Sequence, residues 1–174
     1  SALVQAGDRS YIVSVLLHEL GHAFAARAFK IGMSHIELTA LGGVAHFERS
    51  LPSSVNVRTV VLLAGPAVNL LLWYLLEGLA LQAASGDRTM LFLALGALAT
   101  ANLWLGIFNL LPAFPLDGGR TLDAWLGRPL GSAMSVRIVA SLGLAIAAYI
   151  GITSLPDNFW GMLLAFFLFQ ANWM

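Results

Sequence analysis

Hydrophobic residues in this chain fall into five runs, Tyr11–Phe29, Val60–Leu81, Met90–Leu111, Ile138–Leu155 and Phe159–Met174. A helix rises 1.5 Å per residue, so crossing a hydrocarbon layer of about 30 Å takes about 20 residues. The second and third runs are long enough alone, and the third holds no charged residue. The fourth is marginal and the fifth is shorter. The first differs in kind, because His18, Glu19, His22 and Arg27 stand among its apolar residues. An ionisable group at the centre of a spanning helix costs roughly 2.5–3.5 kcal/mol, so such groups are expected to be paired or functional.

Two segments break the helical pattern. In residues 35–48, HIELTALGGVAHFE, apolar positions alternate at Ile36 and Leu38 and again, less regularly, at Val44 and Phe47. This alternation predicts a β-hairpin turning at Gly42-Gly43. Residues 112–120, PAFPLDGGR, hold two prolines and two glycines, and the expectation is that no regular helix survives there. Irregular backbone at membrane depth is tolerated only against protein or a wet cavity. The predicted fold is therefore an all-α integral membrane bundle of about five spans, with a small β-hairpin between the first two, forming a single domain over residues 1–174.

Composition supports lipid as the main solvent. The chain is 59% hydrophobic and 10% charged, against about 45–50% and about 25% in soluble domains. Mean hydropathy is +0.81. Net charge is zero, which offers no basic surface for nucleic acid. Cysteine is absent, so disulfides and thiolate metal sites are excluded and any metal must be held by His, Asp or Glu. Lys30, Arg49 and Arg58 lie between the first two runs, and Arg120, Arg128 and Arg137 between the third and fourth. Only Arg88 separates the second from the third. The positive-inside rule makes the two rich loops cytoplasmic.

The strongest chemical signal is His18-Glu19-Leu20-Gly21-His22. Helix positions i and i+4 share a face, so both imidazoles reach one ion. Glu19 stands beside the pair and can act as a base toward an attacking water. Shuffling this composition produces the pattern in roughly one sequence in six hundred. Catalytic zinc takes three protein ligands and leaves the fourth position for water. Candidates for the third are Asp117, which sits on the cytoplasmic side at the break in the apolar pattern, and His35 and His46, which flank the hairpin. Asp117 in Pro-Leu-Asp-Gly-Gly also reads as a turn aspartate, and the two roles are compatible. Asn109 ends the third run as a helix cap or an oxyanion donor. Asn69 reads as a packing residue near the kink expected at Pro66.

His18–His22, together with Asn109-Leu110-Leu111-Pro112-Ala113-Phe114-Pro115-Leu116-Asp117-Gly118-Gly119-Arg120, resembles the site-2 protease family of intramembrane metalloproteases. Gly65-Pro66-Ala67-Val68-Asn69 is similar to that family's Gly-Pro-x-x-Asn signature, and Leu41-Gly42-Gly43-Val44 to its hairpin strand. The resemblance implies three core spans, Zn2+ held by His18, His22 and Asp117, Asn109 as an active-site polar residue near the metal, and Asn69 in the same polar neighbourhood. It implies cleavage of membrane-spanning protein substrates; a bacterial plasma membrane is the expected location, and the positive-inside rule puts the active site, with Glu19 as its base, toward the cytoplasmic side. The strand edge at Gly42, Gly43, Val44 and Ala45 is expected to hold substrate in extended form. These 174 residues are expected to be the core of a longer protein, without the span that usually precedes the zinc helix and without a C-terminal regulatory domain. The alternative is a zinc-binding membrane protein or transporter without protease activity, for which acidic or histidine pairs along one path across the membrane would be the signature.

Overall fold

The computed structural model describes residues 2–31, 33–39, 42–47, 54–84 and 89–173, with side chains from residues 12–31, 54–84 and 89–173. Six helices are present among them: α1 (Ala2–Ala28), α2 (Val55–Ala84), α3 (Thr89–Asn109), α4 (Asp117–Leu130), α5 (Ser132–Ser154) and α6 (Phe159–Asn172). Between α1 and α2, β1 (Met33–Thr39) pairs antiparallel with β2 (Gly42–Phe47). The two strands pack on α1, and α1, α2 and α3 pack on one another. α4 bridges α2 to α5, and α6 lies on α5.

The predicted fold needs three corrections. First, about five spans were expected, but among the described residues three helices, α2, α3 and α5, are long and apolar enough to cross a membrane. α6 is apolar but has only 14 residues, and α1 interrupts its apolar sequence with His18, Glu19 and His22. Second, the Gly-Pro-rich segment does end in a helix. α4 starts at Asp117 and carries Gly118 and Gly119 in its first turn. Third, the glycines expected at the hairpin turn lie within β2, where Gly42 pairs with Thr39 and Gly43 with Leu38. Ala40, Leu41 and Glu48, which belong to the expected hairpin, and Met174, which ends the fifth run, lie outside the described residues, as do the side chains of His35 and His46.

The interior is made of small residues. Ala26, Ala80, Ala99, Ala113, Ala147 and Ala165 are buried, while Phe24, Tyr74, Met90, Ile152 and Trp160 are at least 70% exposed. In water this distribution would be inverted. In lipid, large side chains gain nothing by leaving the surface, and helices associate through close backbone approach and buried polar contacts. Gly21 shows the first: a Cβ there would meet the Ala64 carbonyl of α2 at 2.8 Å. Ser14, Asn69, Asn102, Ser135 and Asn172, all at most 2% exposed, supply the second.

α4 is amphipathic. Asp117, Thr121 and Ala124 form its buried face at i, i+4 and i+7, and Arg120, Trp125 and Arg128 stand exposed. Trp125 Nε1 donates to Thr59 Oγ1 at 2.7 Å, and Ser135 Oγ donates to Asp123 Oδ1 at 2.6 Å. These bonds pin α4 to α2 and to the start of α5. Helical glycine is disfavoured by about 1 kcal/mol relative to alanine, and Gly118 and Gly119 are there for a steric reason. A Cβ on Gly118 would run into the Leu110 carbonyl, and one on Gly119 into the main chain of Ala113. The first turn of α4 is pressed against the chain that has just left α3.

That packing makes a testable contrast. Gly118→Ala is expected to lower unfolding stability by about 1–3 kcal/mol, the usual cost of overpacking. Gly78→Ala, at a helical position with open space around it, is expected to be neutral or slightly stabilising. Denaturant unfolding in detergent micelles measures both, and equal effects would discard the close-approach explanation.

Candidate metal centre

Three ligand atoms converge in the interior. His18 Nε2 lies 3.2 Å from Asp117 Oδ2, His22 Nε2 lies 3.2 Å from the same oxygen, and the two Nε2 atoms are 3.1 Å apart. All three residues are buried, at 5%, 6% and 7% exposure. The histidines come from adjacent turns of α1, and Asp117 comes from the first turn of α4, 99 residues beyond His18. Among the described residues no other group of His, Asp or Glu side chains offers a metal site.

The tautomers identify what belongs at the centre. His22 Nδ1–H donates to the Val61 carbonyl at 2.7 Å, and a carbonyl can only accept. His18 Nδ1–H donates to Asn69 Oδ1 at 2.6 Å. Each neutral ring therefore turns the lone pair of Nε2 inward, toward a carboxylate oxygen that is also a lone-pair donor. Three such atoms at 3.1–3.2 Å repel one another unless a cation or a proton lies between them. For tetrahedral zinc, bonds of about 2.0–2.1 Å set ligand atoms about 3.3–3.4 Å apart. The observed triangle is within a few tenths of an ångström of that, and a donor set of two imidazole nitrogens and one carboxylate oxygen is one that zinc accepts.

Asp117 suits this role electrically, because a cation bound beside a carboxylate favours its ionised form. Glu19, 4% exposed, is buried beside the ligand pair on α1.

The surrounding residues explain the Gly-Pro-x-x-Asn segment of α2. Gly65 sits against the imidazoles: a Cβ there would strike His22 Nε2, with His18 Cε1 at 2.8 Å. Pro66 has no N–H to donate to the Leu62 carbonyl, and the neighbouring Val61 carbonyl is the one that accepts from His22. Asn69, wholly buried, accepts from His18 and donates to Asn102 Oδ1 at 2.9 Å, and Asn102 donates to Ser14 Oγ at 3.0 Å. This chain of amides runs from α3 through α2 to α1 and fixes both the tautomer and the direction of His18. Asn69 was expected to be a packing residue, and its position beside His18 gives it a second task. Ser14 and Asn102 were not singled out in the sequence. An Asn in the uncharged third run was the available signal for Asn102.

Asn109 is not placed at the triad by these contacts. Its Nδ2 donates to the Leu105 carbonyl at 2.9 Å within its own helix. Gly42, Gly43, Val44 and Ala45 form part of β2, which packs on α1.

The fold and the site together define a helical membrane protein with a buried cluster of two histidines and one aspartate that could hold a metal ion. A model of Peptidase family M50 matches residues 10–86 and 78–150, and the chain belongs to that family of site-2 protease-like zinc metalloproteases. It is 37% identical over 135 residues to "Zinc metalloprotease MJ0392" of Methanocaldococcus jannaschii, covering 78% of this chain and 38% of that protein. It is 35% identical over 174 residues to "Putative zinc metalloprotease Rip3" of Mycobacterium tuberculosis, covering 92% and 43%. The chain thus spans about two-fifths of these relatives' length. The solved structure "Site-2 Protease from Methanocaldococcus jannaschii" is similar, with a TM-score of 0.74, 32% identity, and coverage of 94% of this chain and 74% of that one.

The Asn69 bond carries a prediction. Asn69→Ala removes the acceptor that orients His18, and zinc affinity is expected to fall about 10–100-fold, the usual effect of deleting a group that supports a ligand. Competition with a chromophoric chelator reads this directly. Wild-type affinity in the variant would show that His18 is oriented by packing alone.

Proposed function

We propose that this chain is the catalytic core of an intramembrane zinc endopeptidase that cuts membrane-spanning segments of substrate proteins in regulated proteolysis. The observation that carries the proposal is the convergence of His18, His22 and Asp117 lone pairs inside a lipid-solvated bundle, with Glu19 buried next to the pair. A zinc ion held by these three residues supplies Lewis acidity and lowers the pKa of water toward ~7. Glu19 takes the proton of the attacking water and delivers it to the leaving amine. Asn109 has two amide N–H bonds, and the one not engaged by Leu105 is assigned to the developing oxyanion. Asn69 and Val61 keep both imidazoles in the tautomer that binds metal.

Glu19→Gln tests the assignment most directly. The substitution keeps size and leaves all three ligands in place, so zinc content should stay at one per chain while cleavage of a membrane substrate by the full-length protein drops at least ~10²-fold. Near-normal turnover would remove Glu19 as the base. Asp117→Ala should instead lose the metal, which separates ligand from base.

A helical substrate has its backbone groups bonded internally and presents no carbonyl for attack until it is locally extended. β2 belongs to a two-stranded sheet beside α1, and its edge at Gly42–Ala45 is assigned to pairing with the extended substrate. The active site is assigned to the cytoplasmic side, because Lys30 follows α1 and Arg120 lies in the first turn of α4, the two helices that supply the ligands. Val44→Pro deletes a main-chain donor and is expected to slow cleavage sharply while zinc content persists. Cleavage at the normal rate by a folded, zinc-loaded variant would exclude this strand as the substrate holder.

A further inference from the structure

Asn172, the last residue of α6, is 1% exposed. Its amide engages both main-chain groups of Phe114. The Phe114 N–H donates to Oδ1 at 3.1 Å, and Nδ2 donates to the Phe114 carbonyl at 2.7 Å. Nδ2 also donates to the Leu168 carbonyl at 2.8 Å, which ties the side chain to its own helix. A primary amide has two N–H bonds and one carbonyl, so its full donor capacity is used and its orientation is decided by its partners. α5 is hollowed to admit it: a Cβ on Gly143 would run into the Asn172 amide.

Phe114 lies three residues before Asp117, in the non-helical segment between α3 and α4. Such a segment has no regular backbone partners, and lipid provides none. A buried asparagine that only satisfied an orphaned group would need one bond. This one forms two, to the N–H and C=O of the same residue, as a neighbouring strand would, and so fixes the direction of the chain. Downstream, Leu116 N–H donates to the Ala113 carbonyl at 3.0 Å, and Gly119 is pressed on the Ala113 main chain. Asp117 lies three residues beyond the chain position held by Asn172. We infer that Asn172 is a positioning residue for Asp117, splinting the main chain of Phe114 so that the carboxylate stays aimed at His18 and His22.

The inference rests on the metalloprotease reading, and its test is metal binding rather than turnover. The full-length protein in detergent micelles is stripped of metal and titrated with cobalt(II) and with zinc against a chelator. Wild type is compared with Asn172→Ala, Asn172→Asp and Asn158→Ala. The last removes the acceptor of a bond from Gly161 N–H at the start of α6, and so weakens the same helix at its opposite end. Asn172→Asp keeps the size and the acceptor but cannot donate to Phe114 when ionised, and it decides the matter if Asn172→Ala does not fold. The expected result is at least a roughly tenfold loss of metal affinity in the Asn172 variants and an altered cobalt visible spectrum, with Asn158→Ala unchanged in both. Asn172 variants that lose thermal stability but bind cobalt with wild-type affinity and spectrum would overturn the inference. A wild-type protein that binds neither metal would instead sink the metalloprotease reading itself.

Discussion

Three lone pairs pointing at one another inside a membrane protein are the constraint around which this structure is organised. His18, His22 and Asp117 bring donor atoms to within 3.1–3.2 Å, a geometry that is repulsive unless a cation or a proton relieves it. Neither imidazole can turn away, because each Nδ1–H is held by an acceptor on α2. Asp117 is held in place by the packed first turn of α4. Packing on all sides holds the three ligands at one point, which is how a binding site keeps its geometry precise.

Other local features follow from that demand. α2 must approach α1 closely enough to support two histidines, which requires Gly65 under the rings and Gly21 against Ala64. Its Val61 carbonyl must also face His22, next to the Leu62 carbonyl that Pro66 leaves without a helical donor. Its Asn69 must be held in turn, which brings Asn102 and Ser14 into one network across three helices. Buried amides in lipid have no water to fall back on, so such a network is either complete or costly. Here its amides find partners on α1 and α3, and the helix that carries the histidines is thereby registered against both neighbours.

The second half of the molecule solves a different problem. Asp117 is delivered by a segment of prolines and glycines that could not hold a position alone. The glycines let α4 press on the end of α3, the Trp125–Thr59 and Asp123–Ser135 bonds clamp α4 between α2 and α5, and Asn172 ties the connecting turn to α6. Two helices from opposite halves of the chain are thereby brought to one point. A bound metal would close a covalent-like link across 99 residues, so metal binding and folding of the two halves are coupled.

By itself the sequence determined which residues are candidates for chemistry. The i, i+4 histidines, the adjacent glutamate, the absence of cysteine and the apolar composition were enough to single out two candidate histidine ligands, a candidate base and lipid as solvent, because each depends on residue type and short-range spacing. It did not fix how many of the apolar runs cross a membrane, since α1 is long enough but interrupted by His18, Glu19 and His22, and α6 has only 14 residues. It hid α4, because glycine and proline read as breakers until the steric reason for Gly118 and Gly119 is visible. It placed a turn at Gly42-Gly43, where pairing with Leu38 and Thr39 puts both residues in the strand. Ser14, Asn102 and Asn172 were silent because a polar residue in an apolar run announces a partner without saying which one. Only the tertiary structure decides that, since hydrogen-bond partners 33, 58 and 88 residues apart are chosen by helix packing and not by spacing along the chain.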